Sequence, residues 1–140
     1  MNQQLIFIPV LLQMLLVFAL FIRLGIVKSE AVSAGLTDHR KTALDTKAWP
    51  ENVVKVSNNI ANQFETPVLF YVLSLVIYLT ESVSLAALVL TFSYVMSRYL
   101  HAFIHVTSNT VPYRLKAFLF GVFILIGLTA WLLIKLITLV

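Results

Sequence analysis

The chain has no cysteine, and that one absence removes disulfides, thiolate metal centres and cysteine nucleophiles together. Charge is nearly as scarce. Only 11% of the 140 residues are charged while 60% are hydrophobic, with a mean hydropathy of +0.94, and a water-soluble fold has no way to hide so apolar a chain. Alternation of apolar and polar residues is missing as well. No long run alternates as a membrane-barrel strand must, and each is twice the length of such a strand, about 9–11 residues. What can cross a bilayer without strands is the helix, whose backbone hydrogen bonds close within the segment.

Four apolar stretches are present, roughly Leu5 to Val27, Ile60 to Thr80, Ser84 to Val106 and Leu115 to Val140, each near the ~20 residues that span the hydrocarbon core. The expected fold is all-α: an integral membrane four-helix bundle of up-down topology, one domain over 1–140 with helices at about 5–27, 50–80, 84–106 and 113–138. Gly25 and the polar Lys28-Ser29-Glu30 are read as closing the first helix. That first stretch has no basic residue ahead of it and exceeds a signal-peptide core of about 7–15 residues, so it is kept as a helix. Pro50 and Glu51 mark a helix start, and Pro112 another.

Basic residues gather in the connections. Lys28, Arg40, Lys41, Lys47 and Lys55 lie between the first two apolar stretches, and Arg98, Arg114 and Lys116 flank the last connection, whereas the opposite side carries only Lys135. Retention of Lys and Arg on the cytoplasmic side then expects both termini outside. The net charge of +4 is not clustered on a recognisable nucleic-acid module, so no nucleic-acid partner is expected.

Helix 2 poses the main question. Its purely apolar part from Pro67 to Leu79 is too short to cross alone, so Asn62 and Glu65 are drawn into the membrane's depth. At 1.5 Å per residue Glu65 lies about 22 Å from the outer end of helix 2 and Arg98 about 21 Å from the outer end of helix 3, which makes the two charges level. Arg23, His101, His105 and Arg114 fall in the same inner layer. Asn58, Asn62 and Glu65 share one helical face, and Tyr94, Arg98, His101 and His105 another. Both faces are expected to turn inward, because an ionised side chain facing lipid costs about 2.5–3.5 kcal/mol or more. A structural Glu65–Arg98 ion pair and a functional polar pocket both fit this spacing. Pro67 removes the N–H that would meet the Gln63 carbonyl, so it either bends helix 2 or frees that carbonyl. His101 and His105 have the i, i+4 spacing of a metal face, yet no HExxH motif or nearby carboxylate accompanies them, and no metal site is expected. Phe118, Phe120 and Phe123 read as packing or lipid-facing surface.

The stretches NQFETP, RYLHAFIHVTSNTVPYR and FLFGVF resemble the MAPEG family, the membrane-associated proteins of eicosanoid and glutathione metabolism. The resemblance runs over essentially the whole chain and is similar to the family's less characterised bacterial members. It implies a homotrimer, glutathione as co-substrate bound near the cytoplasmic face, and a lipophilic electrophile arriving from the bilayer, in a bacterial inner membrane. By matching positions it implies that Asn62 and Glu65 hold the glutathione backbone and amino group and that Arg114 stabilises its thiolate. Arg98, Tyr99 and, more loosely, Arg23 would line the same site, with Asn58, His101 and His105 beside them. The chain departs from the family pattern at Asn58, Thr66 and Phe103, where active members usually carry an arginine and two tyrosines. Two functions therefore stand side by side: a glutathione-dependent transferase or peroxidase-like enzyme, and a non-catalytic membrane scaffold that binds lipid or a partner.

Overall fold

The computed structural model describes residues 1–138. The last two positions of the stretch expected from Leu115 to Val140 lie outside the described residues. A 3₁₀ turn at Gln3–Ile6 leads into α1 (Phe7–Ser33). The connection holds a short α2 (His39–Thr42) and a second 3₁₀ turn at Thr46–Ala48. Then come α3 (Glu51–Asn62), α4 (Thr66–Leu79), α5 (Leu85–Val106) and α6 (Val111–Thr138). With α3 and α4 taken together, four helical segments are long and apolar enough to cross a membrane. Among the described residues there is no strand.

Local chemistry accounts for most of the ends. Asn2 accepts from the Gln4 N–H at the start, and Asp38, Asp45 and Ser84 do the same for α2, the Thr46 turn and α5, each supplying an acceptor to an otherwise orphaned donor. Helix α1 does not stop near Val27 as expected. Gly25 lies inside it with open space around its Cα, and Lys28 to Ser33 continue the helix because they contain no breaker. It closes at Gly35, which takes φ +67° while Leu36 N–H returns to the Ala31 carbonyl at 3.0 Å, a left-handed helix cap. At the start of α3, Pro50 is the cap residue and Glu51 pairs with Lys55 at 2.7 Å.

Pro67 has its effect two to four residues ahead of itself. Helix 2 is not continuous: α3 ends at Asn62, Glu65 leaves helical geometry with φ −96° and ψ −100°, and α4 begins at Thr66. A proline cannot donate to the carbonyl one turn back, so the ladder fails there and the chain restarts with Pro67 in the first turn of α4.

The interior has two apolar clusters. One, in the half nearer the N-terminus, is built around Ile6, Phe70, Ile77, Tyr94 and Leu128; the other, in the half nearer the long connection, around Leu16, Val27, Val53, Val56 and Ala102. Along α1, the α3–α4 break and α5, the buried polar residues Gln13, Gln63 and Arg98 fall in sequence between the two. The outer surface is apolar, with Phe18, Ile22, Phe120 and Phe123 exposed.

Helix α5 packs most closely on α6, and Gly121 is the reason. A Cβ there would stand 2.6 Å from Ser97 Oγ and 3.1 Å from Arg98 Nη2, so only glycine lets the Arg98 guanidinium lie under α6. Replacing Gly121 with alanine should lower stability in detergent by about 1–3 kcal/mol, read as a lower thermal midpoint. Adding Ser97→Ala, which deletes the nearest clashing atom, should recover part of the loss; a Gly121→Ala protein as stable as the parent would contradict the close approach.

Candidate functional site

Arg98 is fully buried and, among the described residues, has no carboxylate paired with it. Its Nη2 donates to the carbonyls of Ala117 and Phe118 at 3.3 Å each, and its Nη1 to Thr66 Oγ1 at 3.4 Å. Helical carbonyls carry a second lone pair for this purpose. The guanidinium also lies over the rings of Phe118 and Tyr94, 5.1 and 5.5 Å from their centroids, contacts that favour a desolvated cation. Its Nε finds no partner among the described residues.

The expected Glu65–Arg98 pair does not form within the chain. The residue after Glu65, Thr66, is the one that touches Arg98, so along the helix axes the two helices meet at the expected level. The rotation about those axes is not the expected one. Successive helical residues point about 100° apart, and the break at 63–65 turns Thr66 inward and leaves Glu65 exposed. Glu65 makes no ion pair; among the described residues the ion pairs are Lys41–Asp38 and Lys55–Glu51. The inward face of α3 is also one residue away from the expected one. Asn59 is buried, whereas Asn58 is exposed and Asn62 half-buried. On α5 the face of Tyr94, Arg98, His101 and His105 is buried throughout.

Asn59 belongs to a chain of amides absent from the sequence reading. Gln13 Nε2 donates to Gln63 Oε1 at 3.0 Å, Gln63 Nε2 to Asn59 Oδ1 at 3.0 Å, and Asn59 Nδ2 to the Ala102 carbonyl at 3.0 Å. It ties α1 to the break in helix 2 and then to α5. A pattern of Gln13, Asn59 and Gln63 inside otherwise apolar stretches was the available signal, since amides in hydrocarbon need partners.

The other site candidates separate into three places. Asn62, His101, His105 and Arg114 are brought together where the C-terminal ends of α3 and α5 meet the start of α6. Asn62 Nδ2 lies 3.5 Å from His105 Nδ1, His101 Nδ1 donates to the Arg114 carbonyl at 3.1 Å, and the two imidazoles stand edge to face with centroids 5.7 Å apart. His101 Nε2 is buried without a partner. Arg114 is half-buried, and its Nη1 donates to Asn109 Oδ1 at 2.6 Å. Tyr99 sits at the seam with α1, where its hydroxyl donates to the Leu12 carbonyl at 2.8 Å. Arg23, Asn58 and Glu65 point out of the chain. Two apolar grooves flank α6: one of 920 Å³ against α5, with Lys116 at its wall, and one of 660 Å³ against α4.

Four long helices with an apolar exterior and a buried polar layer define an integral, multi-pass membrane protein. The chain belongs to the MAPEG family, whose model matches residues 6–134. Comparison with curated proteins and with solved structures returns no match. The membership supports a role of the membrane glutathione and eicosanoid-metabolism type in general terms.

The amide chain supplies a direct check on the polar layer. Gln63→Leu leaves Gln13 Nε2 and Asn59 Oδ1 unpaired at once, and stability should fall by about 1–3 kcal/mol, measured by thermal unfolding in detergent. An unchanged midpoint would mean that the amides are not coupled.

Proposed function

We propose that the protein is a glutathione-dependent transferase or peroxidase-like enzyme acting on lipophilic electrophiles, with Arg114 stabilising the thiolate. The carrying observation is the gathering of Arg114, His101, His105 and Asn62 at one end of the bundle in a chain that matches the family model along nearly its whole length. The residue types suit the co-substrate. Glutathione is a net anion with two carboxylates and one ammonium, so the open guanidinium and amide donors suit its acidic groups, and Glu65, free on the outside of the chain, suits the ammonium once a neighbouring copy closes the site. A free thiol has a pKa of about 8.5, and a neighbouring cation raises its nucleophilic thiolate fraction at neutral pH. The apolar grooves beside α6 offer the electrophile a route from the bilayer.

The outward-facing charges support a homotrimer. Arg23 and Glu65 are exposed on the chain, and ionisable side chains at membrane depth are costly unless covered. A neighbouring copy that buries them brings opposite charges together and completes a site that one chain leaves open. On the distribution of basic residues we further place this site near the cytoplasmic face of a bacterial inner membrane, with both termini outside.

One set of observations favours the non-catalytic scaffold. Arg98 is occupied inside the chain, Thr66 with it, and Asn58 and Phe103 supply neither the cation nor the hydroxyl found in active members. The two readings part in a conjugation assay on the purified protein with a lipophilic electrophile. The enzyme should raise thiolate ultraviolet absorbance on adding glutathione, and Arg114→Ala should lower turnover by roughly tenfold or more while changing glutathione affinity less. Binding of lipid without thiolate or turnover would leave the scaffold. Glu65→Gln should weaken glutathione binding several-fold with little effect on kcat. The particle mass in mild detergent should correspond to three chains, and a monomeric particle that still turns over would remove the trimer from the proposal.

A further inference from the structure

Asn109 lies in the connection between α5 and α6. Its backbone is left-handed, φ +51°, a region in which asparagine is tolerated far better than most side chains. Its N–H reaches back to the Ile104 carbonyl at 2.7 Å and so closes the end of α5. From that fixed backbone its Oδ1 crosses to α6 and accepts from Arg114 Nη1 at 2.6 Å, the one side-chain hydrogen bond Arg114 makes among the described residues. The Arg114 main chain is held separately, through its carbonyl, by His101 Nδ1. Arg114 is therefore gripped at both ends.

The chemistry of the acceptor matters as much as its place. A guanidinium can only donate, so the carboxamide must offer its oxygen. That oxygen is neutral. It orients the fork of donors without cancelling the charge, and it leaves the remaining donors for an anion; an aspartate at the same place would hold the group and neutralise it.

We infer that Asn109 is a positioning residue for Arg114: it aims the guanidinium while preserving its positive charge for the bound thiol. The inference rests on the proposed role of Arg114 in thiolate stabilisation, which the experiment tests separately. Asn109→Gly deletes the acceptor and keeps the left-handed backbone at no steric cost. Asn109→Asp keeps both the backbone and an acceptor but adds a negative charge.

Two measurements on the purified full-length protein in detergent decide it. The first needs no glutathione: the rate at which phenylglyoxal modifies each arginine, followed by peptide mass spectrometry. Arg114 should react roughly three- to tenfold faster in Asn109→Gly, in keeping with loss of one half-exposed hydrogen bond, and no faster than the parent in Asn109→Asp. Arg98, buried, should stay slow in every variant. The second is thiolate absorbance of added glutathione against pH. Both variants should raise the thiolate titration midpoint by about one unit, a roughly tenfold lower thiolate-to-thiol ratio at any given pH, and Asn109→Gly combined with Arg114→Ala should lose no more than Arg114→Ala alone.

An unchanged Arg114 modification rate in Asn109→Gly overturns the inference, as does acceleration shared equally by Arg98, which reports unfolding. A further loss in the double variant also overturns it, since Asn109 would then act without Arg114. If Arg114→Ala leaves the thiolate titration as it was, the role proposed for Arg114 falls, while the modification rates still decide whether Asn109 positions it.

Discussion

The guanidinium of Arg98, desolvated and without a carboxylate, sets the terms for the helices around it. A buried cation must be met by acceptors or it is expelled toward water. Two carbonyls of α6 and the Thr66 hydroxyl meet it, and each acceptor constrains an element. The α6 carbonyls come within reach only because Gly121 lets that helix lie against α5. Thr66 comes within reach only because helix 2 is interrupted just before it. The same side chain thus fixes the spacing of α5 and α6 and the rotation of α4, and the amide chain from Gln13 through Gln63 and Asn59 to α5 fixes the other side of that interruption.

Much of this architecture was legible in the sequence because hydrocarbon imposes a simple rule on it. A segment that crosses must be a helix of about 20 apolar residues, so element type and number follow from counting. Ends were read less well. Gly25 looked like a terminator, yet a glycine acts as one only when the chain needs a left-handed residue there, and Gly35 takes that conformation instead. Pro67 was recognised as either bending helix 2 or freeing the Gln63 carbonyl. Which of the two occurs depends on whether tertiary partners can satisfy the released groups, and sequence spacing does not encode them.

The polar layer shows where counting fails. Axial position adds up residue by residue with small error, and Arg98 does meet the residue next to Glu65, Thr66. Azimuth accumulates at about 100° per residue, so one non-helical residue rotates everything beyond it. Glu65 is such a residue. Its exchange with Thr66 turns an expected internal ion pair into a neutral contact inside and a free carboxylate outside. The inward shift from Asn58 to Asn59 is a matter of facing too: three adjacent polar positions, Ser57, Asn58 and Asn59, gave the sequence no means of choosing which one meets α5.

The two arginines on α5 and α6 show how the environment divides labour between identical side chains. Arg98 directs its terminal nitrogens at backbone and hydroxyl oxygens and is closed over by Tyr94 and Phe118, an arrangement that makes it a fastening between helices and keeps its remaining donors out of a ligand's reach. Arg114 is half-buried at the start of α6 with a single neutral acceptor. Guanidinium charge is permanent at any working pH, so what separates a structural arginine from one available to an anion is the count and charge of acceptors already in contact with it. By that measure Arg98, although deepest in the polar layer, is the weaker ligand candidate of the two, and Arg114 at the head of α6 keeps the uncommitted donors that the proposed anion site requires.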